Sequence, residues 1–106
     1  MTHILDQLFE VIESRKNAAE DESYVASLFK KGTPKIAQKV SEESVETIIE
    51  AVQNNKNALK QESADLLFHL MVLWADQNIK PQDIFDVLEA RMGTSGHEEK
   101  RRRTET

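Results

Sequence analysis

Residues 42–46 read EESVE and residues 62–65 read ESAD. The first stretch holds three carboxylates in five positions and the second holds two in four. Like charges on neighbouring helical turns repel, so acids this dense form either a solvated face or a site for something positive. Register favours the site. If the chain reverses near Asn54 as an antiparallel helical hairpin, Glu46 and Glu62 each lie eight residues from the pivot, and Glu43 and Asp65 each lie eleven. Glu46 is then level with Glu62, and Glu43 with Asp65. Within each helix the two acids are i and i+3, sharing a face. Carboxylates converging in this way call for a cation, and hard oxygen ligands in this number suit Mg²⁺ or Mn²⁺.

The surrounding residues have both a functional and a plain reading. Glu42 precedes Glu43, so its side chain turns about 100° away along the helix, toward Lys35 and Lys39. It could orient or deprotonate an attacking water, or hold a second metal; the plain reading is a solvated pair with Lys39. The series Lys31, Lys35, Lys39 is ordinarily solvated charge, but beside a metal–carboxylate face it could grip phosphates. His69, four residues after Asp65, reads first as a hydrogen-bonded core histidine or one that supports a ligand; phosphate contact is the alternative. A di-iron centre would want Glu-x-x-His motifs, which this pattern lacks. The basic run KRRR, residues 100–103, reads by default as a charged tail.

Helices must position these groups. Ile4, Leu5, Leu8, Phe9, Val11 and Ile12 follow helical spacing over residues 4–16, with Thr2 or His3 as cap. NAAEDES, residues 17–23, is a polar connection, and Ser23 can cap a short helix YVASLFKK that stops at Gly32. Thr33 is expected to cap the next helix, with Pro34 at its first position and its end near Val52. There Lys35, Lys39, Glu42, Glu43, Glu46 and Glu50 fall within roughly 100° of arc, and Ile36, Val40, Val45, Ile48, Ile49 and Val52 cover the remainder. QNNKN, residues 53–57, is the turn.

The following helix, about 58–77, carries Leu59, Leu66, Leu67, Phe68, Leu70, Met71, Leu73 and Trp74 in nearly every direction, the pattern of a buried helix. Yet Glu62, Asp65, His69 and Asp76 share one stripe about 60° wide, and a buried carboxylate is costly unless paired, protonated or metal-bound. Pro81 opens a last helix to about Met92, and a polar tail over 93–106 closes the sequence. Residues 1–92 read as one all-α domain, a bundle around a central antiparallel hairpin.

Composition agrees. The 106 residues are 39% hydrophobic and 31% charged, with three Gly and two Pro, which favours helices over turns and strands. A lone domain of this size buries a modest core, so oligomerisation would help it. The absence of Cys excludes disulfides, Cys-ligated zinc and thiol catalysis. A net charge of −5 argues against nucleic acid as partner. The acidic N-terminus lacks signal-peptide character and no apolar run matches a membrane span, so the expected location is the cytoplasm.

At this point the sequence resembles a known family. EESVE followed by ESAD is similar to the E-E-x-x-E…E-x-x-D signature of the all-α nucleoside triphosphate pyrophosphatase (MazG-like) superfamily. SYVASLFKKGTPKIAQKVSEESVE, ESADLLFHLMVLW and RMGTSGHEEKRRR resemble phosphoribosyl-ATP pyrophosphatase of histidine biosynthesis, over residues 4–103. Where such sequences often read GEE, this chain has Ser41-Glu42-Glu43, and where they often end EKASR it has Glu99 to Arg103.

The resemblance implies Mg²⁺-dependent hydrolysis of phosphoribosyl-ATP to phosphoribosyl-AMP and pyrophosphate, in a homodimer or larger homo-oligomer with sites near subunit boundaries. The hairpin register makes Glu43, Glu46, Glu62 and Asp65 the expected metal ligands, and these four with Glu42 are the expected catalytic acids. Phosphate contacts are sought among Lys31, Lys35, Lys39, His69, Lys100 and Arg103. Some relatives are fused to a cyclohydrolase with Cys-ligated zinc; without Cys, this chain is expected to be the stand-alone enzyme. The rival readings are a house-cleaning nucleoside triphosphate pyrophosphatase and a non-enzymatic helical interaction module.

Overall fold

The computed structural model describes residues 3–92 together with Lys100, Arg101 and Arg103. Thr2 and the remainder of the expected tail lie outside the described residues. Every regular element among the described residues is helical: α1 (Ile4–Ser14), a 3₁₀ turn (Glu20–Glu22), α2 (Tyr24–Lys31), α3 (Thr33–Val52), α4 (Lys56–Asp76) and α5 (Pro81–Arg91).

The caps explain the boundaries. His3 Nδ1 accepts from the Leu5 amide at 3.1 Å and starts α1. Ser23 Oγ accepts from the Ala26 amide at 3.2 Å and starts α2, as the sequence suggests. Asn55 Oδ1 accepts from the Ala58 amide at 3.2 Å, so α4 begins before the turn's apparent end. Thr33 departs from expectation. It lies inside α3, preceded by Gly32 at the cap position, and its hydroxyl donates to Asp76 Oδ2 at 2.6 Å instead of capping. Gly32 has φ 91° and ψ 179°, backbone that is nearly glycine's alone. This lets one residue turn the chain from α2 into α3.

The hairpin closes as its register requires. Asn54 has φ 60°, a left-handed conformation that asparagine tolerates. The Asn55 amide donates to the Glu50 carbonyl at 3.0 Å, completing a Schellman-type end in which asparagine takes glycine's usual place. The end of α4 repeats the device, with Asn78 at φ 59° and the Ile79 amide on the Trp74 carbonyl at 2.9 Å.

The core occupies one end of the hairpin. Phe9 and Ile12 of α1, Val25 and Leu28 of α2, Ile36 of α3, and Met71, Val72 and Ala75 of α4 are buried together. Each large member contributes roughly 1.5–3 kcal/mol by leaving water. The far end has no such cover. Val45, Ile48, Ile49 and Val52 of α3 are 52%, 61%, 46% and 78% exposed, and Leu67 of α4 is exposed too. The expectation that α4 is buried on all sides therefore fails within one chain: α1 and α2 cover only its C-terminal half. The radius of gyration, 16.1 Å, exceeds the ~13 Å of a compact domain of this size. No helix among the described residues is long and apolar enough to cross a membrane.

Candidate metal centre

The acids sit where the covered half of the hairpin meets the uncovered half. α3 and α4 form the most extensive contact between elements, and their antiparallel register brings Glu43, Glu62 and Asp65 together. One carboxylate oxygen from each lies within 4.8 Å of the other two. Glu43 is buried, Glu62 half-buried and Asp65 exposed, so the group opens to solvent on one side.

Glu62 holds the tension in this arrangement. Its Oε2 is buried without a hydrogen-bond partner. The carboxyl is pushed up to about 7, first by Glu46 in hydrogen-bonding range, then by burial, with Glu43 adding further. Two carboxylates share a hydrogen bond only when one holds a proton. A protonated Glu62 can donate to a neighbouring acid, whereas an ionised Glu62 leaves an oxygen stranded. Glu46, expected as a fourth ligand, is exposed and stands beside Glu62 but outside the three-carboxylate group.

On the outer side Lys39 Nζ lies 3.2 Å from Glu42 Oε2 and 3.7 Å from Glu43 Oε1. Gln38 Nε2 also donates to Glu42 Oε1 at 2.8 Å. These partners, Gln38 first and then Lys39, hold the Glu42 carboxyl below its usual range, with Lys35 assisting at longer reach. The Glu42 hydrogen bond in turn holds the Lys39 ammonium above its usual range. Lys31 closes the preceding helix and is exposed. Lys100 and Arg103 are exposed and helical.

His69 is buried, with Nε2 2.8 Å from the Tyr24 hydroxyl and Nδ1 2.8 Å from the Asp65 carbonyl oxygen. Both ring nitrogens are engaged within the protein, which fits the supporting role better than phosphate contact. Asp76, on the same stripe of α4, is accounted for separately: it accepts from the Thr33 hydroxyl and, at 2.9 Å, from Gln77 Nε2. Tyr24 is the site residue that sequence reading passed over. Burial raises its phenol, Lys39 opposes that rise, and Glu43, Glu42 and Asp65 reinforce it, so the hydroxyl sits within the field of the acids. The signal in the sequence was slight, an aromatic at the first position of a helix.

A hairpin that presents clustered carboxylates beside lysines is suited to holding a divalent cation against phosphates. Comparison with known proteins gives this class a family. Residues 5–92 match the sequence model of phosphoribosyl-ATP pyrophosphohydrolase. A phosphoribosyl-ATP pyrophosphatase of Azospirillum brasilense is 54% identical over 100 residues, covering 94% of this chain and 90% of the relative. Its counterpart from Rhizorhabdus wittichii is 51% identical, covering 94% of each chain, and that from Geobacter sulfurreducens is 47% identical, covering 96% and 94%. The chain belongs to the phosphoribosyl-ATP pyrophosphohydrolase family, a family of hydrolases in histidine biosynthesis.

Proposed function

We propose that this chain hydrolyses phosphoribosyl-ATP to phosphoribosyl-AMP and pyrophosphate, with Mg²⁺ held by Glu43, Glu62 and Asp65. The reading rests on one observation above all: the buried, unpartnered Oε2 of Glu62 within a group of three carboxylates. Glu43, Glu62 and Asp65 would hold a divalent cation here, and its charge would compensate the unpartnered carboxylate and relieve the repulsion that raises Glu62. Oxygen donors alone, open to solvent on one side, fit Mg²⁺ or Mn²⁺ with coordination left for phosphate and water. What the bound ion supplies is positive charge against the phosphate oxygens as the bond between the α- and β-phosphates breaks.

The chain's own groups do the remainder. Glu62, raised toward neutrality without a cation, would be held as the carboxylate when one is bound. Glu46, beside Glu62 at the exposed edge, completes the ligand set or its support. Glu42, held low by Gln38 and Lys39, is a weak base at neutral pH, so its suited role is to accept a hydrogen bond from the attacking water and orient it. Lys39 and Lys35 line the outer edge, where they offset the charge of the departing pyrophosphate.

A second copy of the chain is the proposed partner for the exposed stripe Val45, Ile48, Ile49 and Val52, since apolar surface of this kind beside a site is usually covered. Mg²⁺-dependent release of pyrophosphate from phosphoribosyl-ATP tests the reading. Faster release from dUTP or dCTP would favour house-cleaning hydrolysis, and no release from any nucleotide would favour an interaction module.

A further inference from the structure

Tyr24 stands behind the proposed metal site with a defined connection to it. It opens α2, where Ser23 caps the helix and the Ser27 hydroxyl donates to the Tyr24 carbonyl at 2.6 Å. Its own hydroxyl lies 2.8 Å from His69 Nε2, and His69 Nδ1 lies 2.8 Å from the Asp65 carbonyl oxygen. A carbonyl oxygen only accepts, so Nδ1 carries the hydrogen. In the neutral ring Nε2 is then the acceptor and Tyr24 the donor. Two hydrogen bonds therefore run in one direction from α2 to the backbone of an acid in the cluster. The imidazole is also wedged edge-on between rings, with centroids 5.8 Å from Tyr24 and 5.2 Å from Phe68. It cannot swing without giving up both the packing and the hydrogen bonds.

We propose that Tyr24 is a positioning residue for the metal site, holding through His69 the turn of α4 that carries Asp65 opposite Glu43. The inference rests on the metal reading above. α2 packs on α3, the helix of Glu43, so a tie from α2 to Asp65 fixes the spacing between acids on different helices. A site that draws ligands from two helices is only as exact as that spacing, and groups one step behind the ligands commonly set it. Tyr24 is 52% exposed as a residue, and it meets α4 through the hydroxyl bond to His69 and the edge-on contact of the two rings.

The test is Mn²⁺ titration of the full chain, read as the paramagnetic signal of free Mn²⁺, with folding checked by circular dichroism. Tyr24→Phe keeps the ring and removes the tie, and its Mn²⁺ affinity should fall by roughly tenfold. At saturating Mg²⁺ the KM for phosphoribosyl-ATP should match wild type, and turnover lost at low Mg²⁺ should return as Mg²⁺ is raised. His69→Gln should weaken Mn²⁺ binding similarly, and the double variant should bind no more weakly than His69→Gln alone, because Tyr24 acts through that ring. Folded Tyr24→Phe that binds Mn²⁺ as wild type does would overturn the proposal. So would multiplying defects in the double variant, or a raised KM at saturating Mg²⁺, which would mean direct contact with substrate. Should His69→Gln fail to fold, the Tyr24→Phe titration decides alone. Wild-type protein that took up no Mn²⁺ would remove the metal reading and this inference with it, whereas wild-type binding with an unaltered Tyr24→Phe removes the inference only.

Discussion

The Thr33 hydroxyl donates to Asp76 Oδ2 across 2.6 Å, which joins the first residue of α3 to the last of α4. The hairpin is thus closed by Asn54 at one end and clasped by Thr33 at the other. Thr33→Val keeps the shape and removes the clasp. A bond of this kind is worth about 1 kcal/mol, which for a domain of this size lowers Tm by roughly 4–8 °C. Thermal melting measures the loss, and Mn²⁺ affinity should be unchanged because the clasp lies far along α4 from Glu62. An unaltered Tm would mean that Gln77 holds Asp76 as well without it.

Glu62 makes the metal-free protein sensitive to pH in a defined direction. Its folded pKa is about 7 against 4.5 for an ordinary glutamate. Between those values the folded chain keeps a proton that the unfolded chain has released, so this group's contribution is intact below 4.5 and is lost as pH rises through about 7. Denaturant midpoints across that interval should decline in wild type relative to Glu62→Gln, and Mg²⁺ should reverse the decline by binding the folded state. Parallel profiles for the two proteins would contradict the repulsion.

Glu42 separates chemistry from surface pairing. Its partners Gln38 and Lys39 are neighbours on the same helix, so Glu42→Gln should leave Tm and Mn²⁺ affinity close to wild type. Turnover should fall by about 10²-fold if the carboxylate orients the attacking water. Full turnover in that variant would reduce Glu42 to a solvated partner of Lys39.

The exposed apolar stripe of α3 should prove to be a contact between copies. Ile48→Glu places a charge at its centre and should weaken self-association by at least about 30-fold, the scale of a central interface residue. Sedimentation velocity over a concentration series reads the change. A wild-type chain that stays monomeric throughout would leave the stripe to some other partner.

Much of this architecture was legible because it depends on local chemistry. The Ser23 cap, the reversal near Asn54 and the start at Pro81 are set by residue types with narrow conformational preferences. The level pairing of acids follows from counting outward from Asn54, and the structure adds that Glu43, Glu62 and Asp65 meet while Glu46 stays at their edge. What escaped sequence reading depends on contacts distant along the chain. Thr33 has the composition of a cap, but its acceptor lies 43 residues away. The Tyr24–His69 bond spans 45 residues and has no periodic signature. The all-round apolar pattern of α4 predicts a covered helix, yet carries no sign that within one chain the cover reaches only its C-terminal half.

Gly32 gives the whole arrangement a single elbow. The helix on one side of it carries Tyr24, which grips α4 near Asp65, and the helix on the other begins with Thr33, which grips α4 at Asp76. A Cβ at residue 32 would meet only ordinary contact, 3.9 Å from Pro34 Cδ, so space does not forbid a larger residue; the backbone angle does. Any side chain there would push the elbow toward a different bend, and the two grips could no longer be satisfied together. The damage would surface not at residue 32 itself but in the alignment of the acids farther along α3 and on α4. A substitution that looks harmless by volume would thus act as a misalignment of the site at a distance.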